Sequence, residues 1–154
     1  MITSSLTIND VPIECINHAA VLYSVPATLI ISVLKVEGGR NGMAKINSNG
    51  SFDYGPMQIN TVWLPQIKTY GYTKETLQFN PCANVYVGTW ILSQRIADSP
   101  NFWRGVGAYH SYTASENVPY QRKVWAKYRD LYQLLSAPTS TEVKEFVPRA
   151  HYLK

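Results

Sequence analysis

No stretch of 18 apolar residues occurs in the 154-residue sequence, and the longest hydrophobic region, around Ala27 to Val36, is interrupted by Thr28, Ser32 and Lys35. A membrane-spanning helix is thereby excluded, because crossing the hydrocarbon core takes about 20 consecutive apolar residues. Basic runs are missing too. Fourteen Lys and Arg against ten Asp and Glu leave a scattered net charge of +4, whereas a committed nucleic-acid binder concentrates its positive charge. The start, Met1-Ile2-Thr3-Ser4-Ser5-Leu6, lacks the basic patch and apolar core of a secretory signal. It reads either as a cytosolic chain or as a mature domain given a new start Met. Cysteine is scarce: Cys15 and Cys82 show no CxxC or Cys/His spacing of a zinc site. They are therefore two buried thiols or one long-range disulfide. His18 and His151 stand far apart in sequence, so no metal site is expected and no cofactor is implied.

What is present suits one globular domain with a real core: 45% of residues are hydrophobic and 16% charged. Aromatics are plentiful, with four Trp, eleven Tyr and four Phe, and such rings fill cores or stack on flat ligands such as bases and sugars. In the segment from Pro12 to Tyr23, Ile16, Ala19, Ala20 and Tyr23 fall on one face of an amphipathic helix. A second helix begins at Pro26, carries Leu29, Ile30, Val33 and Leu34 as a stripe, and stops at Gly38-Gly39. Arg40 to Tyr54 is rich in Gly, Asn and Ser and forms a long loop or a short hairpin around Asn49-Gly50. A short helical piece near Thr61 to Ile67 precedes Asn80-Pro81, which reads as N-cap and N1 of a helix to about Ala97. In that helix Gly88, Ile91 and Leu92 face inward, and Gly88 leaves room for another helix. Asn101 to His110 and Pro119 to Leu135 are further helices, the latter with Tyr120, Val124, Tyr128, Leu131 and Leu135 on one face. The expected fold is mainly α: residues 1–136 form the domain and 137–154 a tail, since the apolar period is lost after Ala137.

Glu37 continues the Ile30, Val33 stripe by one more step of four, which turns a carboxylate toward the apolar side of its helix. It also sits in the last turn, where the helix dipole disfavours an anion, so dipole and burial both act to raise its pKa. A general acid working near neutral pH needs that state. The competing reading is a solvent-facing Glu on a frayed helix end.

Further along stand Gly55-Pro56-Met57-Gln58, then Asn84 to Gly88, then Ala108-Tyr109-His110-Ser111. With Glu37-Gly38 ahead of them, this order resembles the lytic transglycosylases of the soluble-type, goose-lysozyme-like superfamily. There a Glu followed by a small residue closes a helix, and Gly-Leu-Met-Gln, Asn-x-x-x-Gly and Ala-Tyr-Asn motifs follow. The resemblance covers about Cys15 to Tyr128 and is greatest to the small members that accompany secretion, pilus and conjugation machines. Pro56 in place of Leu and His110-Ser111 in place of Asn and a small residue are departures, and neither removes the Glu.

The resemblance implies a lysozyme-like helical domain with a short loop or hairpin beside the active-site cleft, and peptidoglycan glycan strands as substrate. Its single acid would be Glu37, with Asp53 the only other acid nearby. Gln58 and the Met57 backbone would hold the N-acetyl sugar, Tyr109 would hydrogen-bond Glu37, and Asn47 and Asn49 would line the same groove. Met57 and Tyr109 taken singly read as plain core residues. The resemblance also sets the two cysteine-bearing helices against the Glu37 helix, from which a Cys15–Cys82 disulfide follows. A disulfide implies an oxidising compartment, the periplasm for a wall enzyme, and a signal peptide preceding the domain. A hydrolytic lysozyme on the same fold and a catalytically silent wall-binding module are the alternatives.

Overall fold

The computed structural model describes residues 5–136, so the expected tail from 137 onward and His151 lie outside the described residues. The chain is mainly α, as expected: seven α-helices and two small antiparallel sheets occur among the described residues. It divides into two compact units, Met1–Ile91 and Leu92–Lys154.

The first unit opens with a hairpin that the hydrophobic pattern did not announce. Strands β1 (Thr7–Ile8) and β2 (Val11–Pro12) pair antiparallel. Asn9 and Asp10 between them have φ of 51° and 67°, the left-handed geometry that suits tight two-residue hairpins and that Asn and Asp tolerate best. Helix α1 (Ile13–Tyr23) follows, and α2 (Ala27–Glu37) begins behind Pro26. The two helices meet at a 120° bend, and among the described residues no single helix is long and apolar enough to cross a membrane. Leu29 to Leu34 are all buried, so the expected stripe is a helix enclosed on nearly every side. Its one buried polar side chain there is satisfied, because Ser32 Oγ donates to the Thr28 carbonyl at 2.6 Å. Gly38, at φ +67°, ends α2 and donates its N–H to the Leu34 carbonyl at 2.9 Å.

Of the two expectations for Arg40 to Tyr54, the hairpin is the one observed. Strands β3 (Ala44–Ile46) and β4 (Phe52–Tyr54) pair antiparallel, and β5 (Ile59–Asn60) adds a third strand in the order β3-β4-β5. After a short 3₁₀ turn come α3 (Leu64–Ile67) and α4 (Lys74–Phe79). Helix α5 (Pro81–Ala97) starts where Asn80 and Pro81 place it, with Asn80 Oδ1 accepting from the Ala83 N–H at 3.0 Å. The expectation that Gly88 admits another helix is corrected: the group lying against it is the Met57 side chain, from the turn between β4 and β5.

Cys15 and Cys82 form a disulfide with Cα atoms 5.4 Å apart, joining the start of α1 to the start of α5. The two-thiol alternative is thereby set aside. The bridge spans 67 residues, and loop-closure entropy assigns such a bridge about 4 kcal/mol of stabilisation. A Cys15→Ser, Cys82→Ser variant is expected to lose stability of that order in urea unfolding; an unchanged midpoint would refute the estimate.

The second unit contains α6 (Phe102–Ala108) and α7 (Ala114–Leu135). Asn101 caps α6 by accepting the Arg104 N–H at 3.0 Å. Helix α7 begins five residues before the expected Pro119, which sits inside it. The reason is tertiary: buried Asn117 donates Nδ2–H to the carbonyls of Arg104 at 3.2 Å and Ser111 at 2.8 Å, fixing the turns ahead of the proline. Along the expected face Tyr120 and Val124 are buried, Tyr128 and Leu131 half-buried, and Leu135 exposed.

Candidate active site

Glu37 is the last residue of α2 and half-buried, with Gly38 and Gly39 carrying the chain away. Gly39 packs directly on the Gly55-Pro56-Met57-Gln58 turn. A Cβ at Gly39 would collide with the Gly55 carbonyl, lie 2.7 Å from the Pro56 carbonyl oxygen and 2.9 Å from Gln58 Nε2. The glycine therefore permits the helix end bearing Glu37 and the Gly-Pro-Met-Gln motif to meet backbone to backbone.

That turn is itself held from α5. Asn84 is fully buried, accepts the Met57 N–H at 2.8 Å, and donates to the carbonyls of Tyr54 and Leu77 at 2.9 Å each. Gly55, at φ +65°, leaves the space that the Asn84 amide occupies. One turn further on, Gly88 seats the Met57 side chain, which is wholly buried. Gln58 takes a left-handed φ of 51° and closes the turn with its Nε2 on the Gly55 carbonyl at 2.9 Å. Three of the four sequence motifs thus lie against one another in the first unit, the Glu37 helix end by close backbone packing at Gly39 and the Gly-Pro-Met-Gln turn by its hydrogen bond to Asn84.

Met57 contributes buried bulk, with its backbone N–H engaged by Asn84. Asn47 and Asn49 lie in the β3–β4 connection: Asn47 Nδ2 donates to Ser51 Oγ at 3.1 Å, and Asn49 Oδ1 accepts from Ser51 N at 3.0 Å and from Ser51 Oγ at 2.7 Å. Both amides shape the hairpin turn in this structure. Asp53 on β4 accepts from Asn60 Nδ2 at 2.9 Å. In the second unit, Tyr109 is the half-buried C-cap residue of α6. His110, one of the departures from the family pattern, stacks on Tyr120 with ring centroids 5.0 Å apart. Among the described residues no group of three or more His, Cys, Asp or Glu side chains is arranged to hold a metal ion.

Two residues escaped the sequence reading although they touch the segment that carries Glu37. Asn9 Nδ2 donates to the Leu34 carbonyl at 2.8 Å and to the Gly39 carbonyl at 3.0 Å. Asp10 receives Arg40 Nε at 3.1 Å, Arg40 Nη2 at 3.0 Å and the Asn41 N–H at 3.1 Å. The hydrogen bond from Arg40 holds the Asp10 carboxyl below its ordinary range, outweighing the opposing effect of burial, with the Asn41 N–H and the Arg40 charge adding to it. An Asn-Asp pair ahead of a helix signals only a turn in sequence. What the turn touches depends on how α1 and α2 fold back.

The family model for the transglycosylase SLT domain matches residues 14–131. Protein IpgF of Shigella sonnei is 33% identical over 120 residues, which are 75% of this chain and 79% of that protein. Invasion protein IagB of Salmonella typhimurium (strain LT2) is 30% identical over 131 residues, 82% of each chain. A peptidoglycan-binding-like protein of Escherichia coli O157:H7 is 32% identical over 133 residues, covering 78% of this chain and 79% of that protein.

Proposed function

The chain belongs to the transglycosylase SLT domain family, and we propose that it is a peptidoglycan lytic transglycosylase that cleaves the MurNAc–GlcNAc β-1,4 bond with Glu37 as its single acid and base. The observation that carries this reading is the seating of the Glu37-bearing helix end on the Gly-Pro-Met-Gln turn, with Asn84 and Gly88 behind it. A half-buried carboxyl on a rigid support suits proton transfer, which needs a fixed distance to the reacting oxygen.

In the proposed reaction the protonated Glu37 gives its proton to the glycosidic oxygen, the MurNAc C1–O bond breaks, and GlcNAc leaves with a free C4 hydroxyl. The acetamido oxygen of MurNAc takes up the positive charge at C1. Glu37, now a carboxylate, removes the proton from the C6 hydroxyl, and the C6 oxygen bonds to C1 to close a 1,6-anhydro ring. The enzyme returns to its starting protonation state and no water is consumed. One carboxyl group suffices because the substrate supplies both nucleophiles, in contrast to glycosidases that need a second carboxylate.

In this reading Gln58 holds the N-acetyl sugar, with buried Met57 seating the turn behind it, Asn47 and Asn49 flank the glycan strand, and Tyr109 orients Glu37. These roles rest on the order of the motifs. The disulfide supports action in an oxidising compartment, which for a wall enzyme is the bacterial periplasm. There, local opening of the wall would serve a secretion, pilus or conjugation apparatus.

Purified peptidoglycan digested by the protein is expected to release muropeptides ending in 1,6-anhydro-MurNAc, each lighter by one water than a lysozyme product. Mass spectra dominated by reducing-end MurNAc would instead establish a hydrolytic muramidase. Asp53 on β4, held by Asn60, would then be the carboxylate to test as the group that positions water.

A further inference from the structure

We infer that Asn9, in the turn of the N-terminal hairpin, is a positioning residue for Glu37, holding the exit of α2 in the geometry that proton transfer requires. The inference rests on the reading of Glu37 as the acid, and it adds a residue that none of the four motifs contains.

Asn9 uses one side-chain nitrogen to bridge two carbonyls on either side of Glu37. Leu34, three residues before, accepts at 2.8 Å, and Gly39, two residues after, accepts at 3.0 Å. The Leu34 carbonyl also receives the Gly38 N–H at 2.9 Å, so the αL turn that ends the helix and the Asn9 amide converge on one oxygen. Helix ends ordinarily leave their last carbonyls to water, and they fray. Here the fraying motion is opposed from two directions, by Asn9 on the carbonyl of Gly39 and by the Gly55-Pro56 backbone against its Cα. Glu37 lies between the two anchored points.

The residue type is suited to the place. An αL backbone at φ 51° is costly for most side chains and mild for Asn, and an amide nitrogen offers two protons for two acceptors. Aspartate would fit the same backbone with almost the same shape, yet it has only acceptors to set against two carbonyls. Glycine would keep the turn and remove the bridge. The neighbouring Asp10–Arg40 pair is solvent-exposed, with side chains 39% and 61% exposed, and grips the chain beyond Gly39. A pair of that exposure contributes little, which makes Arg40→Ala a control for general loosening of the segment.

The test compares Asn9→Gly, Asn9→Asp and Arg40→Ala with the wild type in peptidoglycan cleavage and in amide hydrogen exchange. Both Asn9 variants are expected to lower kcat about tenfold or more, with KM changed less than about twofold, because a small displacement of the acid is felt in the transition state more than in binding. The Gly38 N–H should exchange faster in both, and Arg40→Ala should keep wild-type kcat. Wild-type kcat in both Asn9 variants would overturn the inference, as would lost kcat with unchanged Gly38 protection.

Glu37→Gln run alongside separates the two possible failures. An active Glu37→Gln removes the proposed function, whereas an inactive one beside fully active Asn9 variants overturns the Asn9 inference alone. If the wild type shows no cleavage at all, exchange at Gly38 decides the clamp by itself, and unchanged protection in Asn9→Gly refutes it.

Discussion

Glu37→Gln is expected to lower peptidoglycan cleavage by roughly 10²-fold to 10⁴-fold, the range of a lost general acid and base, while the protein folds and binds glycan as before. The amide reproduces the shape of the carboxyl but cannot release a proton to the leaving oxygen, nor take one from the C6 hydroxyl. The fold should not notice the change. The end of α2 is secured by the Gly38 N–H on Leu34 and by the Asn9 bridge, and neither involves the Glu37 side chain. Circular dichroism and the urea midpoint should therefore match the wild type. Asp53→Asn provides the contrast, since a single-carboxylate lyase should retain activity without it. Glu37→Gln activity within about tenfold of wild type, with contamination excluded, would end the assignment.

Much of this architecture was legible because the relevant signals are local. Pro26 and Gly38 bracket α2, and Asn80-Pro81 opens α5; each works through its own backbone geometry, whatever packs nearby. The three motifs now seen together were legible only as a resemblance. Nothing in their spacing says that Gly39 abuts the Gly55-Pro56 backbone, or that Met57 fills the room left at Gly88. Where sequence reasoning failed, distant partners overrode local preference. Pro119 marks a helix start by its chemistry, but the bonds of Asn117 to Arg104 and Ser111 carry α7 past it. The N-terminal hairpin has strands of two residues each, too short to display a period of two. Its amide bridge to α2 is long-range, and no pattern within the hairpin reveals it.

Asn84→Ala is expected to cost the fold at least as much stability as loss of the disulfide. Asn84 is fully enclosed and serves three different segments: the Met57 N–H, the Tyr54 carbonyl at the end of β4 and the Leu77 carbonyl in α4. Alanine removes the partner of the buried Met57 N–H and the donor that reaches the Tyr54 and Leu77 carbonyls, and each buried group left unpaired costs about 1 to 3 kcal/mol. Since such penalties overlap, a total near 5 kcal/mol is the working figure, comparable to the whole stability of many domains at about 5 to 15 kcal/mol. Asn84→Asp should do no better, because an ionised carboxylate cannot donate to the two carbonyls. The expected result is a large fall in the urea midpoint, together with loss of cleavage as the Gly-Pro-Met-Gln turn comes free of α5. The pattern differs from that of Glu37→Gln, in which a fully stable protein is inactive. A loss below about 1 kcal/mol for Asn84→Ala would mean that the three backbone groups find other partners, and the turn behind Glu37 would then owe its position to Gly88 and Met57 packing instead.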